Sequence, residues 1–147
     1  MSKRSYPKRP IDRENVNFVQ SSLGTSQQAA TLLTASVAET IVGLKINGTV
    51  NRVAANSYFG IAIVMVPEGE SANALTLTNG NPLFQPEQHV LWQTFGEFGN
   101  SVEPIYIDAD SKAMRKIKSG DVIQVIGVAS QASAIDIALT VTGWFKQ

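Results

Sequence analysis

The stretch AIDIALTVTGWFK, residues 134–146, decides the fold class. Ile135, Ile137, Leu139, Val141 and Phe145 fall on one side of an extended chain, and Asp136, Ala138, Thr140, Thr142 and Trp144 on the other. Successive side chains of a strand point to opposite faces, so this alternation specifies a strand with one face in a core and one in water. A helix would scatter the same five apolar residues around its circumference. Trp144 breaks the polar face. A large aromatic there either packs beneath a loop or belongs to a subunit contact, where tryptophan is enriched.

Working outward, the period of two recurs. In TIVGLKINGTV (40–50), Val42, Leu44, Ile46 and Val50 share one face, while Lys45, Asn47 and Thr49, with Glu39 just before them, share the other. YFGIAIVMVPEG (58–69) is apolar on both faces up to Pro67, which predicts a central strand covered on each side. These two segments are candidates for a hairpin. ALTLTNGNP (74–82) predicts a short strand turning at Asn79-Gly80, and HVLWQTF (89–95) and EPIYIDA (103–109) predict two more. RKIKSGDVIQVIGVAS (115–130) turns at Gly120-Asp121 into a β-branched run. Seven or eight strands without an amphipathic helix predict an all-β antiparallel sandwich or barrel.

The chain start is different in kind. MSKRSYPKRPIDR holds Lys3, Arg4, Lys8, Arg9 and Arg13 against Asp12, a net of +4, while residues 14–147 hold seven basic and eleven acidic residues, a net of −4. A formal charge of zero therefore conceals a polarised molecule. The basic start lacks the apolar stretch of a secretion signal, and no window approaches the roughly 18 apolar residues of a membrane-spanning helix. Residues 1–28 are expected to be a flexible basic arm and linker, and residues 29–147 the folded domain. A basic tail or import signal is the plainer explanation of the arm. Its confinement to one end of a slightly acidic chain favours a segment that reaches for a polyanion.

Few residues invite chemistry. Without cysteine, disulfides, thiolate metal sites and thiol nucleophiles are excluded. His89 is the sole histidine, too few imidazoles for a cupin-type metal site, and fits a strand-end surface position. Asp108 and Asp110 form a D-x-D pair just after a strand, weak candidates for a hard cation that wants about six oxygens. Arg115, Lys116 and Lys118 form a second basic cluster, either a phosphate-contacting strip or a charged strand edge. No catalytic set, cofactor or metal is expected, and the chain is not expected to be an enzyme.

A basic, proline-containing arm, the Ser/Thr/Gln/Ala-rich linker SSLGTSQQAA (21–30) and a strand-only domain, in that order, resemble small icosahedral virus coat proteins. The likeness is to capsid proteins of small circular single-stranded DNA viruses or of satellite viruses, and MRKIKSGDVIQV (114–125) is similar in character. The resemblance implies a single jelly roll of about eight strands with a disordered arm. It implies self-assembly into a closed shell and a partner nucleic acid, single-stranded, held by Lys3, Arg4, Lys8, Arg9, Arg13, Arg115, Lys116 and Lys118. Trp144 would lie in a subunit interface. The location would be the virion, assembled inside the host cell, with the nucleus among the candidate sites, and no membrane is implied. About 60 copies would bring roughly +240 arm charges against one negative charge per nucleotide, too few to neutralise a kilobase genome. The alternatives are a non-catalytic OB-like barrel binding nucleic acid and a carbohydrate- or partner-binding sandwich.

Overall fold

Alternation is realised along almost the whole chain. The computed structural model describes residues 10–78, 81–84, 89–112 and 114–147, and within them there are eleven strands and no helix. These are β1 (Ile11–Leu23), β2 (Gln28–Thr34), β3 (Glu39–Arg52), β4 (Tyr58–Val66), β5 (Leu75–Thr78), β6 (Asn81–Phe84), β7 (His89–Glu97), β8 (Ile105–Ser111), β9 (Arg115–Ile117), β10 (Val122–Ala129) and β11 (Ile135–Lys146).

The pairing is nested. β1 pairs with β11, β2 with β10, β3 with β8 and β4 with β7, all antiparallel, so the two halves of the chain lie side by side as one long ribbon. Such a ribbon has one apolar face and can bury it only by folding onto itself. It does so by adding the pairs β11–β3 and β10–β4, which gives the sheets β1-β11-β3-β8 and β2-β10-β4-β7, with β9 extending the first beside β3. Eight long strands in two sheets joined in this order form a jelly roll, as expected. Among the described residues the OB-like barrel is not formed, because the long strands make two separate sheets rather than one five-stranded barrel. Nor do β3 and β4 make a hairpin, since consecutive strands cross from one sheet to the other.

The inter-sheet core is built from the inward positions of both sheets. Ile46, Val50, Ile61, Ile63, Ile123, Val125, Ile135 and Val141 are completely buried there. A smaller cluster of Ala62, Val64, Val66, Ile126 and Val128 lies on the outer face of the second sheet, beneath Leu75 and Leu77 of the β5–β6 hairpin. That cover explains why β4 is apolar on both faces. Thr78 pairs with Asn81 in this hairpin, and the expected turn residues Asn79 and Gly80 lie outside the described residues.

Two expectations need correction. Residues 11–23 are a strand, where an arm and linker were expected. β1 is an edge strand with its outward side in water, so it needs few apolar residues, and Phe18 and Leu23 with half-buried Val16 supply them. Its polar remainder is what resembles a linker. The boundary near residue 28 likewise falls at the start of β2. In β3, Ile41 enters the core in place of Val42, because the register against β11 shifts between Trp144 and Phe145. A bulge adds one residue and inverts the alternation on one side of it.

Register defines two ends. Ile11, Lys146, Thr40 and Lys116 lie level across one end, where the chain begins, and Leu23, Ile135 and Arg52 across the other. At the second end the loops are tied by backbone bonds. Val53 and Ala54 N–H both donate to the Ala134 carbonyl at 2.8 and 2.9 Å, and Asn56 N–H donates to Gly99 O at 2.6 Å.

Candidate nucleic-acid interface

The outer face of the first sheet is a grid of cross-strand neighbours. One row runs Asn17, Thr140, Asn47, Asp108, and the next runs Asn15, Thr142, Lys45, Asp110. Thr140 Oγ1 donates to Asn17 Oδ1 at 3.0 Å. Asn47, with its amide nitrogen turned toward β8, donates to Asp108 Oδ1 at 2.9 Å. Nearer the chain start, Arg13 lies opposite Trp144, Trp144 opposite Gly43, and Ile11 opposite Lys146.

The structure separates the expected site residues into three groups. Lys3, Arg4, Lys8 and Arg9 lie outside the described residues. Arg13 is a residue of β1, fixed by ladder pairing with β11. The second cluster divides around the short strand β9, which is anchored by Ile117 in the core at 2% exposure. Lys116 points outward, Arg115 is half-buried on the Ile117 side, and Lys118 follows the strand. The Lys118 N–H donates to Asp121 Oδ2 at 3.1 Å, closing the expected turn, in which Gly120 has φ +93°.

Lys116, Lys118 and Lys146 meet around a groove of about 370 Å³ at the end where the chain begins, together with Thr40 and Glu39. Glu39 Oε2 is buried there without a hydrogen-bond partner among the described residues. Sequence reasoning missed Lys146, although alternation from Phe145 places it on the face of Trp144. Its nearness to Lys116 depends on β3 lying between β11 and β9, a non-local pairing that no short stretch reveals.

Trp144 is half-buried and walls a second groove, of about 560 Å³, with Val42, Gly43, Asp110, Ser111, Lys112 and Met114 among its lining. Gly43 leaves the floor open, and the bulge that removes Val42 from the core turns it into this groove. Met114 is 72% exposed on the rim. Trp92, by contrast, packs against the inter-sheet core.

Asp108 and Asp110 lie within β8, where a position just after a strand was expected, both on the outer face. Two residues apart on a strand, their Cα atoms are about 6.7 Å apart, with Asn47 and Lys45 as cross-strand neighbours. Among the described residues no group of three or more His, Asp or Glu converges to hold a metal. His89 opens β7 opposite Met65.

No protein-family model and no curated protein matches this chain. Among solved structures it is similar to a cyanophage Pam1 capsid asymmetric unit, at 14% identity over 99% of this chain and 91% of that one, with a TM-score of 0.49. It is similar to a Desmodium yellow mottle tymovirus structure at 17% identity, over 99% and 90%, TM-score 0.35. It is also similar to Eiger TNF from S. frugiperda at 8% identity, over 95% and 94%, TM-score 0.47. Likenesses at these scores do not distinguish a capsid from a TNF.

The chain's own chemistry is more discriminating. Arg13, Lys45, Lys112, Lys116 and Lys146 are all exposed on or beside one half of a single sheet face, together with the exposed carboxylates of Asp12, Glu14, Asp108 and Asp110, and Glu39 lines the lysine groove. Exposed lysine and arginine are the residue types that contact phosphate oxygens, contacts that carry no sequence information.

Proposed function

We propose that this chain is a structural capsid subunit that assembles with copies of itself into a small closed shell around nucleic acid, with residues 1–9 on the inside. The observation that carries this reading is a jelly roll with its positive charge gathered where the chain begins. Jelly rolls serve in viral capsids, lectins and cupins. A cupin metal site needs several imidazoles and this chain has one histidine.

Residues 1–9 contain four basic residues and no acidic one, a net of +4, while residues 10–147 contain eight basic and twelve acidic residues, a net of −4. The first residue of β1, Ile11, lies level with Lys146 and Lys116, so the basic stretch of the sequence adjoins the lysines of the sheet. With about 60 copies the arms alone supply roughly +240 charges, and the sheet-face lysines add to that total. Trp144 is a residue of a surface that contacts nucleic acid or a neighbouring subunit. The location is the virion.

Electron microscopy of the purified protein tests the proposal. Closed particles of uniform diameter, with an absorbance ratio showing bound nucleic acid, are expected. A monodisperse monomer under all assembly conditions overturns it. The arm's part is tested by removing residues 1–9 only, because Ile11–Arg13 are paired with Trp144–Lys146.

A further inference from the structure

We infer that the groove at Trp144 is a base-stacking site for single-stranded nucleic acid, a contact distinct from phosphate binding by the arm. The inference rests on the nucleic-acid partner proposed above and adds what part of that partner is recognised.

Three observations converge. The groove is open and largely apolar: Trp144, Val42 and Met114 line it beside Asp110 and Lys112, and Gly43 leaves its floor without a side chain. Its volume of about 560 Å³ admits a planar base against the indole. Cations able to meet a phosphodiester lie on several sides of it. Arg13 lies across the ladder from Trp144, Lys146 is two residues along the same strand, Lys112 is on the rim, and Lys45 is on the next row. Lys116 lies across Thr40 from Lys146. The opposing charges are Asp110 in the groove lining, Asp108 on the next row with Asn47 as its cross-strand neighbour, Asp12 and Glu14 on either side of Arg13, and Asp136 at the far end of β11. An aromatic platform within a cationic track is how proteins hold single strands without reading sequence, since every base has a π-face. Lysine is depleted in protein–protein interfaces, and four of the five cations named here are lysines.

The arrangement also accounts for the bulge in β3. Had the alternation run through without it, Val42 would be in the core and the wall opposite Trp144 would be missing.

The test uses the full chain carrying Trp92→Phe, which leaves Trp144 as the only tryptophan. It is titrated at fixed low salt with a twelve-residue oligothymidylate and with an abasic strand of the same length and charge. Oligothymidylate is expected to quench Trp144 emission, and the abasic strand to bind without quenching. In the natural sequence, Trp144→Ala should weaken oligothymidylate binding roughly tenfold or more and leave abasic binding unchanged. Trp144→Phe should recover part of the loss. Tyr106→Ala, a 75% exposed aromatic on the same face but outside the groove, should change neither. Equal binding of both strands without quenching, or equal loss of both in Trp144→Ala, overturns the stacking site and leaves the capsid proposal standing. Failure of both strands to bind overturns the stacking site and the nucleic-acid partner together.

Discussion

Gly48 shows how one residue sets the spacing of a sheet. A Cβ there would collide with the Ala138 carbonyl oxygen and lie 2.8 Å from the Leu139 Cα, both backbone atoms of the neighbouring strand. Backbone cannot swing aside as a side-chain tip can, so Gly48→Ala should cost about 2–3 kcal/mol, seen as a lower midpoint of chemical denaturation. A midpoint equal to the parent's would show that β3 and β11 are more loosely apposed than their register implies. Phe18 makes the opposite case. It is 1% exposed on a strand that looks, residue by residue, like a linker. Phe18→Ala should lose about 3–5 kcal/mol, and a loss below 1 kcal/mol would mean that β1 does not close the core. Trp144 and Lys146 were legible as neighbours on one face from alternation alone. The third member of that group, Lys116, was visible only as part of a basic run.

Among the elements, the β5–β6 hairpin is separable from the sandwich. β4 and β7 are already antiparallel neighbours, with Met65 opposite His89, and a short turn would join them. Replacing the residues between Pro67 and His89 with a short glycine-serine turn should therefore preserve the inter-sheet core. It should also uncover Ala62, Val64, Val66, Ile126 and Val128. The expected outcome is a cooperative unfolding transition with greatly increased binding of a hydrophobic dye. Loss of the transition would show that the hairpin is part of the main core. β11 and β4 were readable as elements because each repeats a simple pattern over many residues. β9 was not, being three residues long and held by one buried side chain, Ile117. The bulge at Val42 was invisible for a related reason: it is a property of a strand pair, and no single strand encodes it.

At the scale of the whole molecule, the charge arithmetic gives a quantitative expectation. Removing residues 1–9 deletes four cations. If all four contact phosphates, the slope of log affinity against log salt for a single strand should become shallower by about 2.8. An unchanged slope would assign binding to the sheet face alone. A deletion that reaches residue 13 would not be equivalent, because it also removes ladder pairs of β1.

The sequence by itself determined that the chain is built of strands, which faces of most of them are apolar, and that its positive charge is concentrated at the start. These are local properties, set by side-chain period and composition over ten or so residues. Only the tertiary structure decided the nested pairing, the membership of β1 in a sheet, and the gathering of Arg13, Lys116 and Lys146 around Trp144. Those depend on contacts between segments about 25 to 135 residues apart, where each strand is compatible with many partners and burial of the whole ribbon selects one.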